Sequence, residues 1–176
     1  MSYNIFFASD HHFSHSKLYN EFTREDGRFT RYEFANATEG DEAMIERHNA
    51  VVKPNDRVYF LGDVVFHKKH LHLLGRMMGR KVLIKGNHDL LPITDYLPYF
   101  DDVRGIHQFK GMVITHIPVH EQCLGRWGFC AHGHLHTNRI TDKFGNIDPR
   151  YFNVSVEQIN YTPISLEELR KHSPNV

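Results

Sequence analysis

Apolar residues come in short runs that lead into a glycine, an aspartate or a histidine, and between the early runs they recur at helical spacing. Ile5 to Ser9 predicts a buried first strand ending at Asp10. Thr38-Glu39-Gly40-Asp41 resembles a helix start, and Met44, His48 and Val51 keep a helical period until Pro54 ends it. Val58-Tyr59-Phe60-Leu61 predicts a strand running into Gly62-Asp63. Leu71, Leu74 and Met78 predict a second helix closed by Gly79, and Val82-Leu83-Ile84 a strand running into Gly86. This order is β-α-β-α-β with a polar motif at each strand end. Beyond Pro98, Val103 to Phe109 and Met112 to Thr115 predict a hairpin split by Lys110-Gly111. Phe129-Cys130-Ala131 and Phe152 to Val156 predict further strands, and Ser165-Leu166-Glu167-Glu168 a capping box opening a terminal helix with Leu166 and Leu169 inward. The polar stretch from Phe13 to Gly40 shows no clear period. Its aromatics Phe22, Phe29, Tyr32 and Phe34 predict that it packs on the rest.

At 176 residues, 40% apolar and 24% charged, the sequence is expected to form one domain over residues 1–176. Acidic and basic side chains balance at 21 each, which argues against a broad cationic surface for nucleic acid. The basic positions Lys68, Lys69, Arg76, Arg80 and Lys81 read as a solvated face. Cys123 and Cys130 form no Cys-x-x-Cys pair, so no disulfide framework is expected. The start, Met1 to Phe7, lacks a basic region and a signal-like apolar stretch, and no run is long enough to span a bilayer. A cytoplasmic protein is the expectation, with oligomeric state left open.

Candidate chemistry sits at the strand ends. Asp10-His11-His12, Gly62-Asp63, Gly86-Asn87-His88-Asp89, His116 and Gly133-His134-Leu135-His136 offer imidazole, carboxylate and amide oxygen without thiolate. In an open α/β sheet the loops beyond the carboxyl ends of the strands converge on one edge. Asp10 and His12, two apart in a loop, can chelate one ion together, and Gly62 and Gly86 allow close backbone approach. Singly, Asp10, His12 and Asp63 are ordinary surface types, and Gly86-Asn87-His88-Asp89 is a plausible turn. Their joint occurrence in register points to two cations about 3.5–4 Å apart activating a hydroxide for in-line attack on phosphorus. Several histidines favour manganese, iron, zinc or nickel over magnesium.

These motifs resemble the calcineurin-like metallophosphoesterase superfamily over roughly Ile5 to Ser155. Asp10-His11-His12-Phe13-Ser14-His15, the Asn49 to Asp63 stretch and Asn153-Val154-Ser155-Val156 resemble its small single-domain bacterial and phage branch. The resemblance implies a four-layer α/β/β/α sandwich. It puts Asp10, His12 and His136 on a first metal and Asn87, His116 and His134 on a second, with Asp63 bridging. Manganese is the expected ion. His88 takes the role of contacting the phosphoryl oxygens or protonating the leaving group, and Asp89 of orienting its imidazole.

The implied activity is phosphodiester hydrolysis of a small, nucleotide-like substrate by a metal-bridging hydroxide. Phosphomonoester hydrolysis, a nuclease or end-processing activity, and a non-catalytic protein-interaction scaffold are the alternatives. Arg126-Trp127, in the turn from Gly125 to Gly128, and His15 are candidate substrate contacts. His120, four residues after His116 but across Pro118, is expected to line the pocket or the surface.

Overall fold

The computed structural model describes residues 3–173, so Met1 and Ser2 of the expected leaderless start lie outside it. In chain order the elements are β1 (Ile5–Ala8), α1 (Lys17–Asn20), α2 (Ala37–Val51), β2 (Arg57–Phe60), a 3₁₀ helix (Lys68–Arg76), β3 (Arg80–Ile84), α3 (Ile93–Tyr96), β4 (Asp102–Arg104), β5 (Ile106–Phe109) and β6 (Met112–Thr115). A second 3₁₀ helix (Glu121–Arg126), β7 (Cys130–His132), β8 (Tyr151–Asn153), β9 (Ile164–Ser165) and α4 (Leu166–Lys171) complete it. One sheet has the order β4-β3-β2-β1-β9 and the other β5-β6-β7-β8. All pairs are parallel except β1 with β9 and β5 with β6.

Strands buried on both faces read as continuous apolar runs, because successive side chains point to opposite layers. Phe6, Val58, Phe60 and Leu83 pack with Met44 and Ile45 of α2 in one core. Their neighbours Phe7, Tyr59, Leu61, Val82 and Ile84 face Met112, Ile114, Phe129 and Ala131 of the second sheet in another. Val113, Cys130 and Leu124 form a third cluster on the outer side of the second sheet. The result is the expected four-layer sandwich, with a short 3₁₀ helix as its outermost layer on that side.

Two sequence expectations change. The second helix is 3₁₀ and stops at Arg76: Leu71, Leu74 and Met77 are buried at a spacing of three, which suits three residues per turn, while Met78 is exposed. Val103 to Phe109 is two strands, because the chain leaves the first sheet after Arg104 and joins the second at Ile106. The hairpin turn itself stands, with Lys110 and Gly111 both at positive φ. The strand β9 had no periodic signal, being two residues long. The α2 and α4 caps are built from side chains: Asn36 accepts from the Glu39 N–H at 3.1 Å, and Ser165 from the Glu168 N–H at 3.1 Å. The 13–40 stretch is anchored by Leu18, Tyr19, Arg31 and Phe34, whereas Phe22, Phe29 and Tyr32 stay exposed. Lys68, Arg76 and Arg80 pair with Asp95, Glu42 and Asp101, as a solvated face does. Cys123 is exposed and Cys130 buried, both as free thiols. Among the described residues no helix is long and apolar enough to cross a membrane.

His48 of α2 makes the fold sensitive to acid. Its ring is fully buried, Nε2 donates to the Met78 carbonyl at 2.9 Å, and Nδ1 has no partner. Burial pulls its pKa from 6.5 down to about 4. The folded value lies below the unfolded one, so the unfolded chain takes up the proton first as pH falls. Stability is therefore intact above pH 6.5 and is lost toward pH 4. His48→Gln keeps a donor for Met78 and cannot titrate, so its stability should fall less steeply across that window, by up to about 1.4 kcal/mol per pH unit. Urea unfolding at several pH values measures this; identical slopes in both proteins would remove His48 as the cause.

Candidate metal centre

Each candidate residue leaves the carboxyl end of a strand. Asp10 and His12 follow β1, Asp63 follows β2, Asn87 and His88 follow β3, His116 follows β6, and His134 and His136 follow β7. The two sheets are stitched together at this end: Ser9 N–H donates to Val154 O at 2.9 Å and Val156 N–H to Ser9 O at 3.0 Å. Asp10 N–H donates to Gly62 O at 3.0 Å, His12 N–H to Asp63 O at 2.9 Å, and Gly133 N–H to His116 O at 2.9 Å. A β-carbon on Gly62 would lie 2.6 Å from the His116 ring, and one on Gly86 or Gly133 would run into Asp63 or into Asp10 and Ser9. Glycine is required at these three crossings.

Two groups of donors result. Donor atoms of Asp10, His12 and His136 lie within 4.8 Å of one another, and so do those of Asp63, His116 and His134. Asp10 Oδ2 accepts from Ser155 Oγ at 2.8 Å and the His134 N–H at 2.9 Å, while Oδ1 is buried with no hydrogen-bond partner. That orphan oxygen faces His12 Nε2 at 3.8 Å and His136 Nε2 at 3.9 Å. These spacings are too long for hydrogen bonds and suit ligands each about 2 Å from one cation. In the same way Asp63 Oδ1 accepts the His88 N–H at 2.8 Å, and Oδ2 stands 3.6 Å from His12 Nε2 and 3.3 Å from His116 Nε2. One carboxylate oxygen thus lies between the groups. Asn87 Oδ1 is 2.9 Å from His116 Nε2. All seven candidate ligands are brought together, and the donor set fits divalent cations.

Tautomers follow from the second nitrogens. A carbonyl only accepts, so the 2.7 Å contact of His116 Nδ1 with Leu61 O puts a proton on Nδ1 and makes Nε2 the nitrogen that faces Asp63. His136 Nδ1 is held in the same sense by Glu157 Oε1 at 3.2 Å. Burial first, and then the neighbouring His136, drives the His12 pKa well below 6.5, so His12 stands as a neutral ring. Burial would also lower His116 and His136, but the carboxylates of Asp63 and Glu157 raise them instead. The backbone is strained where the donors are. Asp10, His12, Asp63, His134 and His136 have φ between 45° and 71°, the left-handed region that non-glycine residues avoid.

A family profile described as calcineurin-like phosphoesterase matches residues 3–175. The chain belongs to that family. This phosphoesterase is 33% identical over 175 residues to an uncharacterized protein of Methanocaldococcus jannaschii, spanning 95% of this chain and 89% of that one. A crystal structure of a protein of unknown function from Aquifex aeolicus superposes with a TM-score of 0.67 at 26% identity, covering 97% of this chain and 99% of the other. A structure of an archaeal phosphodiesterase is more distant, with a TM-score of 0.49 at 16% identity over 85% of this chain and 82% of the other. The phosphoesterase is metal-dependent by family, and the two donor groups can bind metal.

The remaining candidates fall in different places. His88 is exposed at the rim, its ring 5.7 Å from that of His12 and 4.8 Å from Phe66. Asp89 is buried, and its two oxygens accept from the N–H groups of Asp63 (2.8 Å), Gly86 (2.8 Å) and Val64 (3.0 Å). Its carboxylate clamps the β2 and β3 loops together, whereas the sequence reading set it on the His88 ring. His15 lies 4.4 Å from Phe66 and 6.0 Å from His12, ring to ring. Arg126 is exposed, and Trp127 packs on the Val113, Leu124 and Cys130 cluster with its indole N–H buried and unpartnered. Sequence reasoning passed over Phe66, Arg31 and Glu157. Only Glu157 carried a signal, as the acid directly following Asn153-Val154-Ser155-Val156.

Proposed function

We propose that this phosphoesterase is a two-cation phosphodiesterase, a single cytoplasmic domain loaded with manganese, acting on a small nucleotide-like substrate. The reading rests on Asp63 Oδ2, a buried oxygen with His12 on one side at 3.6 Å and His116 on the other at 3.3 Å. Asp10, His12 and His136 would hold one ion, and Asn87, His116 and His134 the other, with Asp63 shared. Such ions supply Lewis-acid charge neutralisation at the phosphoryl group and a lowered pKa for water.

The chain's own residues supply the rest. Asp89, through three backbone amides, keeps the Asp63 and Gly86 loops in register. Leu61 O and Glu157 fix which nitrogen of His116 and His136 faces inward. His88, exposed beside His12, holds a proton for the departing oxygen. Of the expected substrate contacts, His15 is the one whose ring packs near a proposed ligand.

The deciding experiment assays manganese-loaded protein on bis-p-nitrophenyl phosphate, the mono-ester analogue and a panel of cyclic nucleotides, before and after chelation. Diester hydrolysis should exceed monoester hydrolysis and vanish on chelation, returning with manganese. Hydrolysis that survives metal removal would end the two-cation reading, and a preference for the monoester would end the diester assignment.

A further inference from the structure

The side chains of Arg31 and Glu157 are both fully buried and pair at 2.9 Å between Nε and Oε1. Arg31 does more than balance a charge. Nη1 donates to His11 O at 2.7 Å and to Tyr19 Oη at 3.3 Å, and Nη2 donates to Asp10 O at 2.5 Å. These carbonyls belong to the loop in which Asp10 and His12 have φ of 59° and 45°. On the other side Glu157 Oε1 also accepts from His136 Nδ1 at 3.2 Å, leaving His136 Nε2 facing Asp10. Burial would raise the Glu157 carboxyl, but the guanidinium, and then His136, hold it down at about 2.

We infer that Arg31 and Glu157 are positioning residues of the metal centre, fixing the His136 ring and the left-handed Asp10–His12 backbone from behind. The inference rests on the two-cation reading above. A buried ion pair is a poor way to stabilise a core, since apolar side chains of similar volume serve as well or better. What apolar side chains cannot do is accept the His136 Nδ1–H or grip two loop carbonyls in a fork. The pair also explains the segment that the sequence left illegible. Arg31 sits in the turn leading toward α2, and through it the 13–40 stretch becomes the back wall of the Asp10, His12 and His136 group.

The test is calorimetric titration of the metal-free full chain with Mn²⁺, which reads binding apart from turnover. Wild-type protein should take up two ions; fewer would overturn the two-cation reading and this inference with it. The double variant Arg31→Met/Glu157→Leu removes both charges together, so no lone ion is left in the core. It should unfold cooperatively in chelator as the wild type does, yet bind one of the two ions about 10–100-fold more weakly, the usual effect of losing a partner behind a ligand. Wild-type affinity at both sites would overturn the inference while leaving the two-cation reading standing. Should the double variant fail to fold, Arg31→Lys decides: it keeps a charge beside Glu157 but lacks the fork, so weaker binding of one ion supports the inference and unchanged binding refutes it.

Discussion

Asp63→Asn is expected to lower manganese uptake from two ions per chain to one or none and to cut turnover by about three orders of magnitude, the upper range for removing one preorganised electrostatic group. The substitution keeps volume and keeps an oxygen for the His88 N–H, which Asp63 Oδ1 accepts at 2.8 Å. What changes is Oδ2, the atom 3.6 Å from His12 Nε2 and 3.3 Å from His116 Nε2. An amide nitrogen there offers hydrogens where both proposed cations need a lone pair. Burial alone would raise the Asp63 pKa, but the hydrogen bond and charge of His116 and the His88 N–H lower it, so the carboxylate adds stability and the metal-free variant should unfold somewhat earlier than the wild type while still unfolding cooperatively. Metal analysis of the purified protein, together with diester turnover, reads the result. Two retained ions and unchanged turnover would dismantle the bridging role.

His88→Ala should separate chemistry from metal binding. Among the described residues His88 hydrogen-bonds the candidate ligands through its backbone N–H, to Asp63, and alanine preserves that bond. The ring itself is exposed and packs edge-on near His12 and against Phe66. Manganese stoichiometry should therefore stay at two while turnover drops by about 10²–10⁴, the usual range for removing a general acid. The loss should be smaller on a substrate whose leaving group needs no proton, such as a nitrophenolate, than on a nucleoside leaving group. Equal losses on both would show that His88 works on the phosphoryl oxygens instead.

The legible part of this protein was the part with a short repeat. Two-sided burial writes itself as Ile5-Phe6-Phe7-Ala8, Val58 to Leu61 and Val82 to Ile84, and each run leads directly to a polar motif, so strands and candidate ligands could be read together. The 3₁₀ helix was misread because Leu71 and Leu74 satisfy both a spacing of three and a helical one; only the burial of Met77 instead of Met78 separates them. The break between β4 and β5 is a single bend residue, Gly105, too short to interrupt the strand pattern on either side of it. Asp89 reads in sequence as the partner of the adjacent histidine, but two of its three amide partners are brought in by a different strand.

Sequence by itself determined the β-α-β-α-β succession of the first half, the seven candidate ligand types and the family, because ligand chemistry and strand burial are properties of single residues and their immediate spacing. Only the tertiary structure decided which oxygen of Asp63 lies between two imidazoles, which nitrogen of His116 and His136 faces inward, and that Arg31 reaches behind Asp10. Those are distances between groups up to 55 residues apart along the chain, as between His116 and Leu61, and the Arg31–Glu157 pair spans 126. No local periodicity encodes them, because they come into being only when two sheets close on each other and leave those polar atoms no water to turn to.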